Sequence, residues 1–591
     1  MAQLPNILSS FFKTAEERGK TTCAIVKRDG HWVKVSWADV SRSVLEKAVG
    51  LRRLGVKRGD RVALLANTSL EWTIADCAII AVGGITVPIY CSLTKDRIAY
   101  ILRDSAPSAA IVEDNRVAQL FEEATRMGGI SGITVIGILG GSAPFMFGDL
   151  GKDATPAELS DIRQEIQRPG LDDTATYVYT SGTTGELKGV IITQGMIAAE
   201  IDAARQVFGF QPGEVGLACL PLAHVLGRMM QFYQLVQGTV SAYAESIETL
   251  AENYIDLRPH FVCCVPRMLE KIHERARERI ALLSPHRRRL FEWAIKIGLE
   301  CNAFDQKRRR VPVGFAAKRF IAEHLVFKKL RARLGGKIRG FICGGAKLSE
   351  DTIRFLYAVG IKVLEGYGLT ETFAAVTVNR ADDYHFGTVG KPLPGIAIKL
   401  AADGEVLIKG PVVFRQYLHR PEESSAAFDK EGWFKSGDLG EYSRDGFLRI
   451  TGRKKDMIVT SGGKNIAPQM IEQTMLSSPF ISNFMVFGDG HKYLTALVTL
   501  NREDVLRHLR SKGEKISDQE RLAHRADVRK LIAAHIEDKN RLLARYETIK
   551  RFAILESDFS QTTGELTPTL KVRRAYTSEK YRDLLESLYS D

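Results

Sequence analysis

Runs that read as strands alternate with runs that read as helices along most of this chain, and that alternation limits the fold more than any other feature. Arg61 to Ala66 is a short apolar run, Trp72 to Val82 reads as a helix, and Ile85 to Tyr90 is a second strand-like run. Strands separated by helices pair in parallel, so the first three-quarters of the chain is expected to be α/β with mostly parallel sheets. Between Gly387 and Ile450 the texture shifts to short strands with turn signals such as Ala402-Asp-Gly-Glu405 and Arg444-Asp-Gly446, which predicts a small β-rich subdomain. Beyond Gly452-Arg-Lys-Lys-Asp456 lies a final section with strands at Phe484 to Phe487 and Leu494 to Leu500, and a charged helical stretch from about Asp504 to Leu543. A boundary at Lys454/Lys455 divides a large N-terminal lobe, 1–454, from a small α+β C-terminal domain, 455–591.

Composition excludes several classes. The N-terminus has no basic start followed by an apolar stretch and cleavage site, so a secretory signal is not expected. The longest apolar run, Cys77 to Tyr90, is broken by Gly83-Gly84 and Pro88 and is too short to span a bilayer. Eight scattered cysteines with no C-x-x-C pair suggest neither a zinc site nor a disulfide framework, and a reducing cytosol fits them best. The net charge of +13 is local: residues 271–339 hold 20 Lys and Arg against 6 Asp and Glu, so the rest of the chain is almost neutral. Apolar residues sit among these charges, Leu290, Trp293 and Ile297 at helical spacing and Phe320, Ile321 and Leu325 further on, a basic amphipathic pattern. Such a pattern is either a solvated face or one attracted to an anionic membrane or acidic ligand. Nucleic acid is disfavoured, because no binding motif accompanies the charge.

The stretch Tyr177-Val-Tyr-Thr-Ser-Gly-Thr-Thr-Gly-Glu-Leu-Lys-Gly-Val190 is built to hold phosphate. Gly182, Gly185 and Gly189 let backbone approach an anion, Thr180, Ser181, Thr183 and Thr184 add hydroxyl donors, and Lys188 adds a mobile charge. The spacing differs from that of P-loop NTPases, in which lysine directly precedes Ser or Thr at a helix start. Glu371, in Gly366-Tyr-Gly-Leu-Thr-Glu-Thr372, is a carboxylate two residues past a glycine turn, suited to Mg²⁺. Phe341-Ile-Cys-Gly-Gly-Ala346 offers bare backbone to a flat base, and Asp438 in Ser436-Gly-Asp438 could accept ribose hydroxyls. Gly452-Arg453, Ser461-Gly-Gly-Lys464 and Gly564-Glu-Leu-Thr-Pro-Thr-Leu-Lys571 complete the series. Each alone could be an ordinary turn; their joint order is what carries weight.

In this order the motifs resemble those of the adenylate-forming superfamily of acyl-CoA synthetases, peptide-synthetase adenylation domains and firefly luciferase, over essentially the full length. The long-chain fatty acyl-CoA synthetase branch is closest in appearance, through Leu220-Pro-Leu-Ala-His-Val-Leu-Gly-Arg228, Val265-Pro-Arg-Met-Leu-Glu-Lys271, Gly387-Thr-Val-Gly-Lys-Pro392 and Leu566-Thr-Pro-Thr-Leu-Lys571. The resemblance implies that Thr180 to Gly185 bind the ATP phosphates, that Glu371 and Thr180 hold Mg²⁺, and that Thr370 belongs to the nucleotide site. Gly344, Gly345 and Tyr367 would frame the adenine, and Asp438 would hold the ribose beside Arg453. Lys455 would be the hinge of a mobile C-terminal domain, Lys571 the adenylation lysine, and His224 a neighbour of the fatty carboxylate. Coenzyme A is implied as acyl acceptor, with no motif to locate its site. Leu187, Gln194 and Ser436 depart from the usual proline, histidine and threonine without removing a reacting group.

The implied function is an AMP-forming long-chain fatty acid:CoA ligase, cytoplasmic and peripheral on the inner face of a membrane through 271–339. Ligases for medium-chain or aryl acids or for carrier proteins share the motifs, as do luciferase-like oxidation and an inactive lipid-binding scaffold.

Overall fold

The computed structural model describes residues 4–590 except 141–142, 182–186, 247, 307–308 and 568–570, and omits the side chain of Ser181. The chain forms two compact units. One comprises Met1–Lys399, Leu407–Ser436 and Tyr442–Arg449, the other Leu400–Val406, Gly437–Glu441 and Ile450–Asp591.

Two large sheets organise the first unit. The first runs, from edge to edge, Phe145–Met146, Thr134–Gly137, Ala109–Val112, Arg61–Leu65, Ile85–Pro88, Thr174–Ser181 and Leu187–Thr193, with only the last pair antiparallel. The second runs Lys391–Pro392, Ala374–Val378, Lys362–Leu369, Gly340–Cys343, Phe261–Cys264, Val215–Ala218, Val240–Tyr243, Thr22–Arg28 and His31–Ser36, parallel in its centre and antiparallel at both edges. The central strands are short and almost wholly apolar because both faces are covered.

The helices Leu70–Ala81 and Val225–Gln237 are buried on nearly every face, which a helix achieves only between layers. Several of their polar side chains bond one sheet or the other. Arg228 donates from Nε and Nη2 to Asp76 at 2.8 and 2.5 Å and from Nη1 to Thr176 at 2.6 Å, while Thr86 donates to Asp76 at 2.7 Å. Thr73 bonds the hydroxyl of Tyr243 at 2.8 Å, and Tyr243 bonds Gln231. Asp76 and Arg228 are fully buried, and the guanidinium lies over Trp72 and Phe232. Losing one partner of such a pair costs about 3–5 kcal/mol, because the other charge is left uncompensated.

Residues 397–453 form a four-stranded sheet, Ala397–Leu400, Glu405–Lys409, Phe434–Tyr442 and Leu448–Arg453, with the helix Pro421–Ala426 between its middle strands in sequence. This is the β-rich region expected, and it contributes residues to both units. In the second unit Ile481–Phe487, Leu494–Leu500 and Ile549–Ile554 form a sheet whose faces are covered by Pro468–Met475 with Ala526–Asn540 and by Arg582–Ser587. The expected single helical stretch from Asp504 to Leu543 is two helices, Arg502–Ser511 and Ala526–Asn540. The break follows Gly513, which at φ +88° stops the first helix.

The basic segment is helical: Pro266–Ala281, Pro285–Gln306 and Val313–Ala322, then a π-turn at Glu323–Phe327 and Lys328–Ala332. The amphipathic pattern divides. Trp293, Ile297, Val326 and Phe327 join the core, whereas Leu282, Val313, Phe320, Ile321 and Leu325 are exposed among Arg287, Arg288, Arg289, Lys318, Lys328 and Lys329.

Candidate active site

The phosphate motif is a hairpin, not a strand-to-helix loop. Thr174–Ser181 returns as Leu187–Thr193, so Thr180 and Lys188 face each other in register and Lys188 rides on the returning strand. The side chain of Ser181 and the residues Gly182, Thr183, Thr184 and Gly185 lie outside the described residues. Lys188 is largely buried, ion-paired with Glu423, and placed with Nζ 5.3 Å from the ring centroid of Tyr417.

Glu371 and Thr370 occupy a one-turn helix, Thr370–Thr372, at the end of the Lys362–Leu369 strand, which continues straight through the glycines of the motif. Tyr417 donates its hydroxyl proton to Glu371 Oε1 at 2.9 Å, and the Glu371 carbonyl accepts from Phe414 N at 2.8 Å. Tyr417 therefore brings together the predicted phosphate lysine and the predicted metal carboxylate. The turn after Glu371 is strained, with Phe373 at φ +48° and Ala374 at φ +123°. It closes so tightly on Gly368 that a Cβ there would stand 1.4 Å from the Ala374 oxygen, hence the glycine. Thr372 Oγ1 lies 3.1 Å from the carbonyls of Leu369 and Ala374, and Ala375 N donates to Glu200 Oε1 at 3.0 Å.

Gly344 and Gly345 follow the Gly340–Cys343 strand, Gly345 at φ +89°, and Tyr367 lies on the neighbouring strand, so the backbone expected to frame a base is present. A Cβ on Gly344 would meet Leu226 at 3.4 Å, which puts the start of the Val225–Gln237 helix against this backbone. His224 is the N-cap of that helix; its Nδ1 accepts from Leu226 N at 3.2 Å, fixing the ring. The loop before it is tied down by Thr68, which donates to Leu220 O and accepts from Leu222 N. Beside the same helix a cavity of about 10 Å³, lined by Leu222, Met230, Phe261, Gln231 and Gln234, is too small for an acyl chain.

In the second unit Asp438, mid-strand and 8% exposed, accepts from Arg453 Nε at 2.9 Å. Lys571 stands in the field of both. Crowding and then the repulsion of Arg453 lower its pKa, while Asp438 raises it. The side chain as a whole is exposed. The loop that carries it is closed by Thr567 N donating to Lys571 O at 2.8 Å and Lys571 N donating to Thr567 Oγ1 at 3.0 Å. Lys455 is exposed in the turn Lys454–Asp456, and its neighbour Lys454 pairs with Asp403 and Glu405.

Glu371 and the Thr180 hydroxyl are hard oxygen donors of the kind Mg²⁺ takes. A carboxylate offers about four lone-pair sites, so the Tyr417 bond is compatible with coordination. Tyr417 and Glu423 belong to no sequence motif: Glu423 lies in the first turn of the short helix Pro421–Ala426 and Tyr417 in the loop before it.

The chain matches the AMP-binding enzyme family over residues 11–418 and the AMP-binding enzyme C-terminal domain over 455–591. It is 35% identical to long-chain-fatty-acid–CoA ligase FadD15 of Mycobacterium bovis, covering 99% of this chain and 97% of that one. It is 31% identical to long-chain-fatty-acid–CoA ligase ACSBG2 of Gallus gallus, over 100% and 82%. Among solved structures it resembles the o-succinylbenzoate CoA synthetase of Bacillus subtilis with its acyl-adenylate (TM-score 0.69, 21% identity, 98% of both chains). It also resembles a Mycobacterium tuberculosis fatty acyl CoA synthetase (TM-score 0.62, 22% identity, 98% and 99%). The fold is that of an adenylate-forming enzyme. The chain belongs to the AMP-binding enzyme family, alongside its long-chain-fatty-acid–CoA ligases.

Glu200 makes the strained turn testable. It is fully buried, and burial raises its pKa well above the ordinary 4.5, against a smaller lowering by the Ala375 N–H. Below about pH 4.5 folded and unfolded chains both hold the proton; above it only the folded chain does, so stability falls by about 1.4 kcal/mol per pH unit until the folded pKa is reached. Glu200→Gln keeps the acceptor for Ala375 and removes that penalty. In melting curves the variant should exceed the parent at pH 8, with the gap closing towards pH 4.5.

Proposed function

We propose that the chain activates a long-chain fatty acid with ATP and Mg²⁺ and passes the acyl group to coenzyme A. A carboxylate oxygen attacks the α-phosphorus, the bond to the bridging oxygen breaks, and pyrophosphate leaves with the electron pair. The coenzyme A thiol then adds to the acyl carbonyl, losing its proton, and AMP leaves. Full-length similarity to ligases with that named activity supports the reading, together with the joining of Lys188 to Glu371 through Tyr417.

A fatty carboxylate is already ionised near neutral pH, so adenylation needs no general base. What it needs is two anions held together and the charge growing on phosphate stabilised. Lys188 faces the phosphates from the hairpin strand. Glu371 and Thr180 would hold Mg²⁺, which when bound neutralises phosphate charge. Asp438 takes the ribose with Arg453 beside it, Gly344, Gly345 and Tyr367 frame the base with Thr370 nearby, and His224 stands by the fatty carboxylate. Lys571 contacts both reactants during adenylation and must leave before the thiol enters. A hinge at Lys455 between domains 1–454 and 455–591 would carry it away, a reading favoured by a C-terminal domain match that starts at residue 455. Lys571→Ala should therefore reduce acyl-adenylate formation by at least a hundredfold while thioester formation from supplied acyl-AMP stays within about threefold of the parent. Equal loss in both half-reactions would contradict the assignment.

Among the described residues no helix is long and apolar enough to cross a membrane. Peripheral attachment through 271–339 suits a substrate dissolved in lipid, and Leu282 and Val313, 87% and 86% exposed among basic side chains, support it. Flotation with anionic vesicles should show binding at low salt that weakens as salt is raised; no binding at low salt, or binding indifferent to salt, would refute it.

A further inference from the structure

Lys188 and Glu371 come from different sheets, one on the edge strand Leu187–Thr193 and the other after the strand Lys362–Leu369. A single segment, residues 414–424, is bonded to both. Its Leu418 N donates to Gly189 O at 2.8 Å, its Gln416 carbonyl accepts from Ile191 N at 3.4 Å, and its Phe414 N donates to Glu371 O at 2.8 Å. From this clip one side chain serves two groups: the ring of Tyr417 lies under the Lys188 ammonium and its hydroxyl bonds Glu371.

The clip is itself held in place. Ser424 Oγ accepts from Tyr417 N at 2.9 Å and donates to Arg420 O at 2.5 Å. Arg420 Nη2 donates to the Tyr100 hydroxyl at 3.0 Å, and that hydroxyl donates to Leu187 O at 2.9 Å, back on the lysine's strand. Phe414 packs on Tyr417 with ring centroids 4.6 Å apart. The ring is thus held by the protein's own contacts.

We infer that Tyr417 is a positioning residue that orients the Glu371 carboxylate for Mg²⁺ through its hydroxyl and steadies Lys188 for phosphate through its ring. The inference rests on the nucleotide reading given above. The two tasks are chemically separable, since phenylalanine keeps the ring and loses the hydroxyl bond, whereas leucine loses both. An outer hydrogen bond of this kind typically changes metal affinity by roughly ten- to a hundredfold, and a lysine laid on an aromatic face loses less freedom when it meets an anion. A residue serving only as packing would leave phenylalanine silent.

The test is calorimetric binding of α,β-methylene-ATP, whose methylene replaces the bridging oxygen cleaved in adenylation, with and without Mg²⁺, alongside melting curves. Tyr417→Phe should lose roughly tenfold in affinity with Mg²⁺ and match the parent without it, at a nearly unchanged melting temperature. Tyr417→Leu should weaken binding in both conditions. Parent binding with Tyr417→Phe unaffected by Mg²⁺ removal or addition relative to the parent would overturn this inference alone, as would equal losses in both conditions. A parent chain that does not bind the analogue would overturn the nucleotide reading with it.

Discussion

The buried pair of Asp76 and Arg228 is the contact on which the first unit depends. It joins the two helices enclosed between the sheets, and through Thr86 and Thr176 it fastens them to one sheet while Thr73, Gln231 and Tyr243 fasten them to the other. A charged pair in that position is tolerated because its carboxylate and guanidinium bond each other, Thr86 and Thr176, and the same requirement fixes the depth and rotation of both helices. The consequence reaches the site directly. The helix carrying Arg228 begins at His224, and its second residue closes against Gly344. Where the fatty carboxylate and the base are read to lie is therefore set by a polar network about one helical turn away.

A second constraint is the chemistry itself. With an ionised nucleophile and a good leaving group, the proposed reaction must place charges rather than move protons, and the residues proposed for it in the first unit are a lysine, a carboxylate, hydroxyls and bare backbone. Placement demands rigidity, which accounts for the strained turn after Glu371, the glycine its geometry dictates at 368, and the fixed ring of Tyr417. In the second unit the loop of Lys571 is closed by two hydrogen bonds of its own.

Much of this was legible in the sequence, for physical reasons. Arg61–Leu65, Leu70–Ala81 and Ile85–Pro88 fall where the alternating runs predict them, because fully covered strands and helices leave near-continuous apolar stretches. Glu371, Lys188 and Asp438 are assigned their proposed roles from glycine-rich surroundings, which local sequence displays. Tyr417 and Glu423 are not, because their importance comes from pairing across more than forty and two hundred residues, and no local pattern records such a pairing. The same limit applies to Asp76 and Arg228: an aspartate in an apolar helix reads as an interruption until its partner is seen. The division of the basic segment into core-facing Trp293 and Ile297 and outward Phe320, Ile321 and Leu325 likewise depends on how its separate helices dock.

The most direct measurement is AMP formation from ATP and Mg²⁺ across saturated acids from C2 to C20 and a set of aryl acids, each with and without coenzyme A. The account predicts turnover that depends on coenzyme A and rises to a maximum among the long chains. Turnover confined to short or aryl acids, or AMP formation indifferent to coenzyme A, would contradict it.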